Sequence, residues 1–211
     1  MCKDEWEKLS PEELDKCAEQ APLSAIMHAS HLLTPDRLDW CAEKEPAAIW
    51  YAAPLLTLRR LDWCAEKEPL AAIVYASHLL TPDRLDWCAA RDPNIALRYA
   101  APMLAPGLLD WCAEKEPMIA IRHAAHLLTP ERLDLCARVE PWVALKYAAR
   151  LLTPERLGWC ANKSPLAAIK HAAKLLLPEQ LERIIRENPV EAMEIMAKDR
   201  AKHLMEESDN G

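Results

Sequence analysis

The chain has 211 residues, 51% of them hydrophobic, with 17 prolines, three glycines and no phenylalanine. That balance suits short helices punctuated by proline and leaves few of the turn glycines a β protein would use. A formal charge of −7 disfavours nonspecific binding to nucleic acid or to an anionic membrane surface.

The first ten residues, MCKDEWEKLS, contain no apolar h-region, so no secretory signal is expected. Proline and polar residues interrupt every apolar run well short of a membrane span. The eight cysteines are therefore expected to live reduced, in a cytoplasmic setting. From residue 10 onward the sequence repeats itself. LDWCAEKEP occurs at Leu38–Pro46, at Leu61–Pro69 and at Leu109–Pro117, with near copies at Leu14, Leu85, Leu133 and Leu157. Alignment on T-P-x-x-L-D-W-C-A gives eight repeats: 10–33, 34–56, 57–80, 81–104, 105–128, 129–152, 153–176 and 177–200. All have 24 residues except the second, which lacks one just after Pro46.

Each repeat holds two prolines about eleven residues apart, and each proline marks a helix start. Thr34-Pro35-Asp36 reads as an N-cap, a proline at the first helical position and an acid near the positive helix end. Thr81-Pro82-Asp83, Thr129-Pro130-Glu131 and Thr153-Pro154-Glu155 repeat the device. The second start is Glu45-Pro46, Asp92-Pro93, Ser164-Pro165 or Asn188-Pro189, and its proline also ends the helix before it. Every repeat is thus a hairpin of two short helices that need tertiary packing to persist. On the first, Leu61, Cys64 and Ala65 share one face; on the second, Ala72, Ile73, Ala76, Leu79 and Leu80 do. The tryptophans Trp40, Trp63, Trp87, Trp111 and Trp159 recur on the flank of the first helix and are expected to pack between neighbouring repeats.

The expected fold is all-α: an α-solenoid of eight helix-turn-helix repeats with N- and C-terminal caps, forming a single domain over 1–211. Residues 1–33 are the N-terminal cap and first repeat, 34–176 the central repeats, and 177–211 the capping repeat and tail. In the last repeat Arg183 stands at the Trp position and Ile184 at the Cys position. Its second helix is expected to run on through Ala192–Met205.

A 24-residue unit reading T-P-x-x-L, then alanine, then a proline and an A-I/L-x-x-A helix resembles the leucine-rich-variant type of α-solenoid repeat over about residues 10–200. The resemblance implies a right-handed superhelix in which one helix of each unit is 3₁₀, although the L-D-W-C-A-E-K segments are long enough for α-helix. An N-terminal cysteine group binds an iron–sulfur cluster in that family. Here only Cys2 and Cys17 lie near the N-terminus, so no cofactor is carried over.

The repeated cysteines Cys17, Cys41, Cys64, Cys88, Cys112, Cys136 and Cys160 read as small apolar packing residues. Equivalent residues on stacked helices lie roughly 9–10 Å apart, beyond the about 7 Å that a disulfide spans. Zinc could recruit Cys17 with His28 and His31, or Cys112 with His123 and His126. The His28 and His123 position is tyrosine elsewhere (Tyr51, Tyr75, Tyr99, Tyr147) and no C-x-x-C occurs, so no metal site is expected.

The informative positions are those that vary between repeats, because stacking does not dictate them. On the second helix two of these lie i, i+4 apart: Met27 and His31, Trp50 and Pro54, Val74 and His78, Arg98 and Pro102, Arg122 and His126, Lys146 and Arg150, Lys170 and Lys174. The row starts apolar and turns basic halfway. Charge follows the same trend: residues 1–104 hold 11 Lys+Arg against 17 Asp+Glu, whereas 105–211 hold 15 against 16. A second row, Arg37, Arg60, Arg84, Arg132 and Arg156, reads as a solvated charge ladder between repeats. No Gly-rich phosphate loop, H-E-x-x-H or G-x-S-x-G is present. The expectation is a non-enzymatic, monomeric scaffold that binds a protein or peptide, acidic at one end, along the row from Met27 to Lys174. The alternative is nucleic acid held by the Arg98–Lys174 cations.

Overall fold

A computed structural model describes residues 3–195 together with 197 and 198. Cys2 and the last part of the Ala192–Met205 helix expectation lie outside the described residues. By its contacts the chain divides into two compact units, Met1–Cys112 and Ala113–Gly211. Among the described residues the regular structure is helical throughout. The N-terminal unit holds α1 (Lys3–Trp6), α2 (Pro11–Gln20), α3 (Pro22–Ala29), α4 (Pro35–Lys44), α5 (Ile49–Ala52), α6 (Leu58–Lys67), α7 (Pro69–Ala76), α8 (Pro82–Ala89) and α9 (Pro93–Tyr99). Helix α10 (Pro106–Lys115) carries the boundary between the units. The C-terminal unit continues with α11 (Pro117–His123), α12 (Pro130–Val139), α13 (Pro141–Tyr147), α14 (Pro154–Lys163), α15 (Pro165–His171) and α16 (Pro178–Glu187). Helical backbone then resumes over 189–195.

Within each unit the packing is that of an α-solenoid. First helices stack on first helices, as α4 on α6 and α6 on α8, or α12 on α14. Second helices stack likewise, α5 on α7 and α7 on α9, or α11 on α13 and α13 on α15. The core runs between these two layers. Ile26, Ile49, Ile73 and Leu97 from the second helices meet Leu38, Leu61 and Leu85 from the first, all almost wholly buried. Ile121, Leu145, Leu133 and Leu157 repeat the arrangement in the C-terminal unit. Each such side chain contributes about 1.5–3 kcal/mol by leaving water, which helices of seven to ten residues cannot do without.

The helix starts follow the sequence. Thr34, Thr57, Thr81, Thr129 and Thr153 are extended N-caps whose hydroxyls accept the N–H of Arg37, Arg60, Arg84, Arg132 and Arg156 at 3.2–3.3 Å. Ser10 does the same for α2 and forms a capping box with Glu13. The first helices end where expected too. Glu45, Glu68, Glu140 and Ser164, each before a proline, leave the helical region with φ between −126° and −138°.

The 3₁₀ structure does not sit where the family resemblance implies. The first helices are α, and the 3₁₀ turns follow the second helices instead: Ala53–Leu55, Ala101–Met103, Ala125–Leu127, Ala149–Leu151 and Ala173–Leu175. They begin after a bridge-region residue such as Ala124, at φ −129° and ψ 7°. A sixth turn, Pro46–Ala48, opens the second helix of the 23-residue repeat. A 3₁₀ turn uses about 3.0 residues rather than 3.6, so this tightening accommodates the missing residue.

The cysteines have a hydrogen-bonding part in this stack. Pro46 has no N–H, so the Ala42 carbonyl, four residues earlier, lacks its helical donor. The thiol of Cys64, one repeat on, donates to that carbonyl at 3.9 Å. The same relation joins Cys88 to Ala65 (3.8 Å, before Pro69), Cys136 to Ala113 (3.5 Å, before Pro117) and Cys160 to Ala137 (3.7 Å, before Pro141). The A-x-x-x-P spacing creates the orphan acceptor, and the next repeat's cysteine brings a weak donor to it.

Candidate functional site

The two layers differ in charge. In the first seven repeats each second-helix segment with its following turn (22–33, 46–56, 69–80, 93–104, 117–128, 141–152 and 165–176) is free of Asp and Glu. Across these repeats the acids lie on the first helices and the residues that join them to the second, whereas the helical segment 189–195 of the last repeat carries Glu191 and Glu194. Five first-helix arginines, Arg37, Arg60, Arg84, Arg132 and Arg156, are engaged by acids of the preceding repeat. Arg37 pairs with Asp15 (3.0 Å) and Glu19 (3.1 Å), Arg60 with Glu43 (2.9 Å) and Arg84 with Asp62 (3.7 Å). In the C-terminal unit Arg132 pairs with Glu114 (3.3 Å) and Arg156 with Asp134 (3.5 Å). Asp15 raises the affinity of Arg37 for its proton through their hydrogen bond. The arginines are half-buried and most of their carboxylates exposed, so each pair is worth roughly 1 kcal/mol or less.

The second-helix cations have no such partners. Arg98, Arg122, Lys146, Arg150, Lys170 and Lys174 are all exposed, and no carboxylate among the described residues pairs with them. In the C-terminal unit they gather around Tyr147. The Arg122 guanidinium lies 5.4 Å and the Lys146 ammonium 4.9 Å from the Tyr147 ring centre. A hydrogen bond from Lys146, with Arg122 nearby, holds the Tyr147 phenol below its ordinary proton affinity. Two adjoining cavities open beside it, of about 220 and 310 Å³. Arg150, His171 and Leu175 line both; Lys146 and Tyr147 line the smaller, Lys170 and Lys174 the larger.

The geometry of the row differs from a continuous i, i+4 helical stripe. Arg122, Lys146 and Lys170 lie in the last turns of α11, α13 and α15, but His126, Arg150 and Lys174 stand in the separate 3₁₀ turns that follow. The break at Ala124, Ala148 or Ala172 moves the second position off the helix. In the N-terminal unit Met27 and Trp50 are exposed, Val74 is half-buried and Arg98 exposed. Trp50 stacks on Tyr75 of the next repeat with ring centres 5.6 Å apart and planes at 24°, making an aromatic surface around the apolar positions. The sequence showed Tyr147 only as an alternate to His28 and His123, without a place in the row, and position-by-position reading passed over the absence of acids from the second-helix segments of the first seven repeats. Both signals were present in the sequence.

Four first-helix tryptophans are half-buried between two cations each: Trp40 between Arg37 and Lys44, Trp63 between Arg60 and Lys67, Trp87 between Arg84 and Arg91 (the latter just past the end of α8), and Trp159 between Arg156 and Lys163; Trp111 of α10 is exposed. These cation–π contacts occupy the indole faces. In α12 the Trp position is Leu135, and an apolar groove of about 440 Å³ opens there between Leu135, Val139 and Pro117.

Five of the buried cysteine thiols are held protonated and are poor nucleophiles. Burial pushes Cys64 up to about 12 and Cys41, Cys88, Cys112 and Cys160 up to about 11. Among the described residues no group of three or more His, Cys, Asp or Glu side chains converges to hold a metal ion, and no helix is long and apolar enough to cross a membrane. Compared with known proteins, the chain matches no family model, no curated protein and no solved structure.

Proposed function

We propose that this chain is a non-enzymatic repeat scaffold that binds a protein or peptide along its second-helix layer. The observation that carries the reading is the segregation of charge. In a chain of net −7, the second-helix segments of the first seven repeats hold no acid, and no carboxylate among the described residues pairs with their lysines and arginines, while Arg37, Arg60, Arg84, Arg132 and Arg156 of the first helices are paired. Stacking alone gives no reason to keep acids off an exposed layer, and solubility gives a reason to mix both signs. An acidic ligand meets positive potential on this layer with little repulsion from nearby carboxylates. We place the array with leucine-rich-variant repeats on its 24-residue unit, and the chain in the cytoplasm on its thiols.

Affinity capture from a cell lysate tests this, with proteins and nucleic acids both identified. Wild type is run beside Arg98→Glu/Arg122→Glu/Lys146→Glu/Lys170→Glu. A protein held by wild type and lost by the variant supports the reading. Nucleic acid lost in the same way replaces it with the alternative, and equal capture by both chains removes the second-helix layer from consideration.

A further inference from the structure

The cations of the C-terminal unit are not spread evenly along the second-helix layer. Arg150 stands at the meeting of two cavities, with Lys146 on one side and Lys170 and Lys174 on the other. Four formal positive charges thus converge over two successive repeats with no acid on either second-helix segment. One carboxylate would leave most of that charge uncompensated, so the cluster calls for several anionic groups at close spacing. The rim is apolar: Leu151 is 49% and Leu175 41% exposed, and the Tyr147 ring is 40% exposed. Such a rim suits an aliphatic or aromatic side chain next to the anions. The net charge of −7 disfavours a polynucleotide, which carries far more negative charge than the four cations of this patch can offset.

From this charge complementarity we infer that the Arg150 cluster is the seat of an acidic peptide, a run of carboxylates flanked by an apolar side chain that rests on Leu151 and Leu175. The inference rests on the second-helix binding reading above and specifies its ligand. Arg150 takes the central carboxylate, because its planar fork can hold one bidentately, and Lys146, Lys170 and Lys174 act as point charges around it. Arg98 belongs to the other compact unit and takes no part in this seat.

Fluorescence anisotropy tests this with the whole chain and three dye-labelled probes. These are a peptide of four glutamates between leucines, the same peptide with glutamines, and a single-stranded oligothymidine of equal charge. The glutamate peptide is expected to bind wild type, and the glutamine peptide about tenfold more weakly or less. Arg150→Ala/Lys170→Ala/Lys174→Ala is expected to lose the glutamate peptide by a similar factor, while Arg98→Ala binds as wild type does. Lys163→Ala/Arg138→Ala, on the first helices, controls for a general loss of charge. Equal binding of both peptides, lost in Trp50→Asp, overturns the acidic seat and leaves the second-helix reading standing. Tighter binding of oligothymidine, lost in the triple variant, overturns the peptide ligand. No binding of any probe overturns the seat as drawn.

Discussion

The thiol of Cys88 donates to the backbone carbonyl of Ala65, 3.8 Å away on the first helix of the preceding repeat. Pro69 explains the need, since it supplies no N–H to that carbonyl. Cys88→Ala removes the donor and opens a small void in a fully buried position. The expected cost is about 1–3 kcal/mol in urea unfolding. Cys112→Ala, for which no such bond to the preceding repeat is seen, isolates the packing share. Equal losses in the two variants would show that the thiol's hydrogen bond contributes nothing.

Burial of these thiols makes stability depend on alkaline pH. An unfolded cysteine loses its proton near the ordinary 9.0, whereas native Cys64 keeps it to about 12 and Cys41, Cys88, Cys112 and Cys160 to about 11. Above the unfolded value the unfolded chain binds fewer protons, so the stabilisation is complete below about pH 9 and is lost as pH rises towards 11. Each thiol accounts for a slope of about 1.4 kcal/mol per pH unit in that window. Urea midpoints measured across it should fall less steeply for Cys64→Val than for wild type. Parallel slopes would contradict the assignment.

Gly158 and Gln180 form a coupled pair at the last repeat step. At the preceding step the same two positions are Asp134 and Arg156, an ion pair at 3.5 Å. Here a Cβ on residue 158 would lie 2.5 Å from the Gln180 side-chain nitrogen. Gly→Ala inside a helix ordinarily stabilises by about 0.5–1 kcal/mol. Gly107→Ala, whose Cβ meets nothing within 4 Å, is expected to show that gain. Gly158→Ala is expected to lose it in wild type and regain it in a Gln180→Ala background. A double-mutant cycle measures the difference, and additivity would remove the pairing.

Thr129 caps α12 through the Arg132 N–H at 3.2 Å. Thr129→Ala should cost about 1 kcal/mol, and Thr129→Ser almost nothing. If thermal unfolding does not distinguish Ala from Ser, the hydroxyl is not the stabilising group.

The helix starts were legible because Thr, Pro and an acid act within four residues, and all their physics is local. The two-layer core was legible because Ile73 and Leu61 recur at helical spacing. The 3₁₀ turns were not, since Ala124 leaves the helix with neither glycine nor proline beside it, so packing rather than a local signal ends α11. The Cys88–Ala65 bond needed the stacking register, which no single repeat contains. The charge segregation was readable, but only by asking what a run of segments lacks instead of what each position holds.

The central claim, that the second-helix layer is the binding face, makes the lysines a direct reporter. Lys146, Lys170 and Lys174 lie on that layer, whereas Lys44, Lys67 and Lys163 lie on the first helices. Lysine acetylation followed by mass spectrometry, with and without a bound partner, reads both layers at once. The account predicts protection of Lys146, Lys170 and Lys174 with Lys44, Lys67 and Lys163 unchanged. Protection of the first-helix lysines alone would contradict it and move the site to the tryptophan flank.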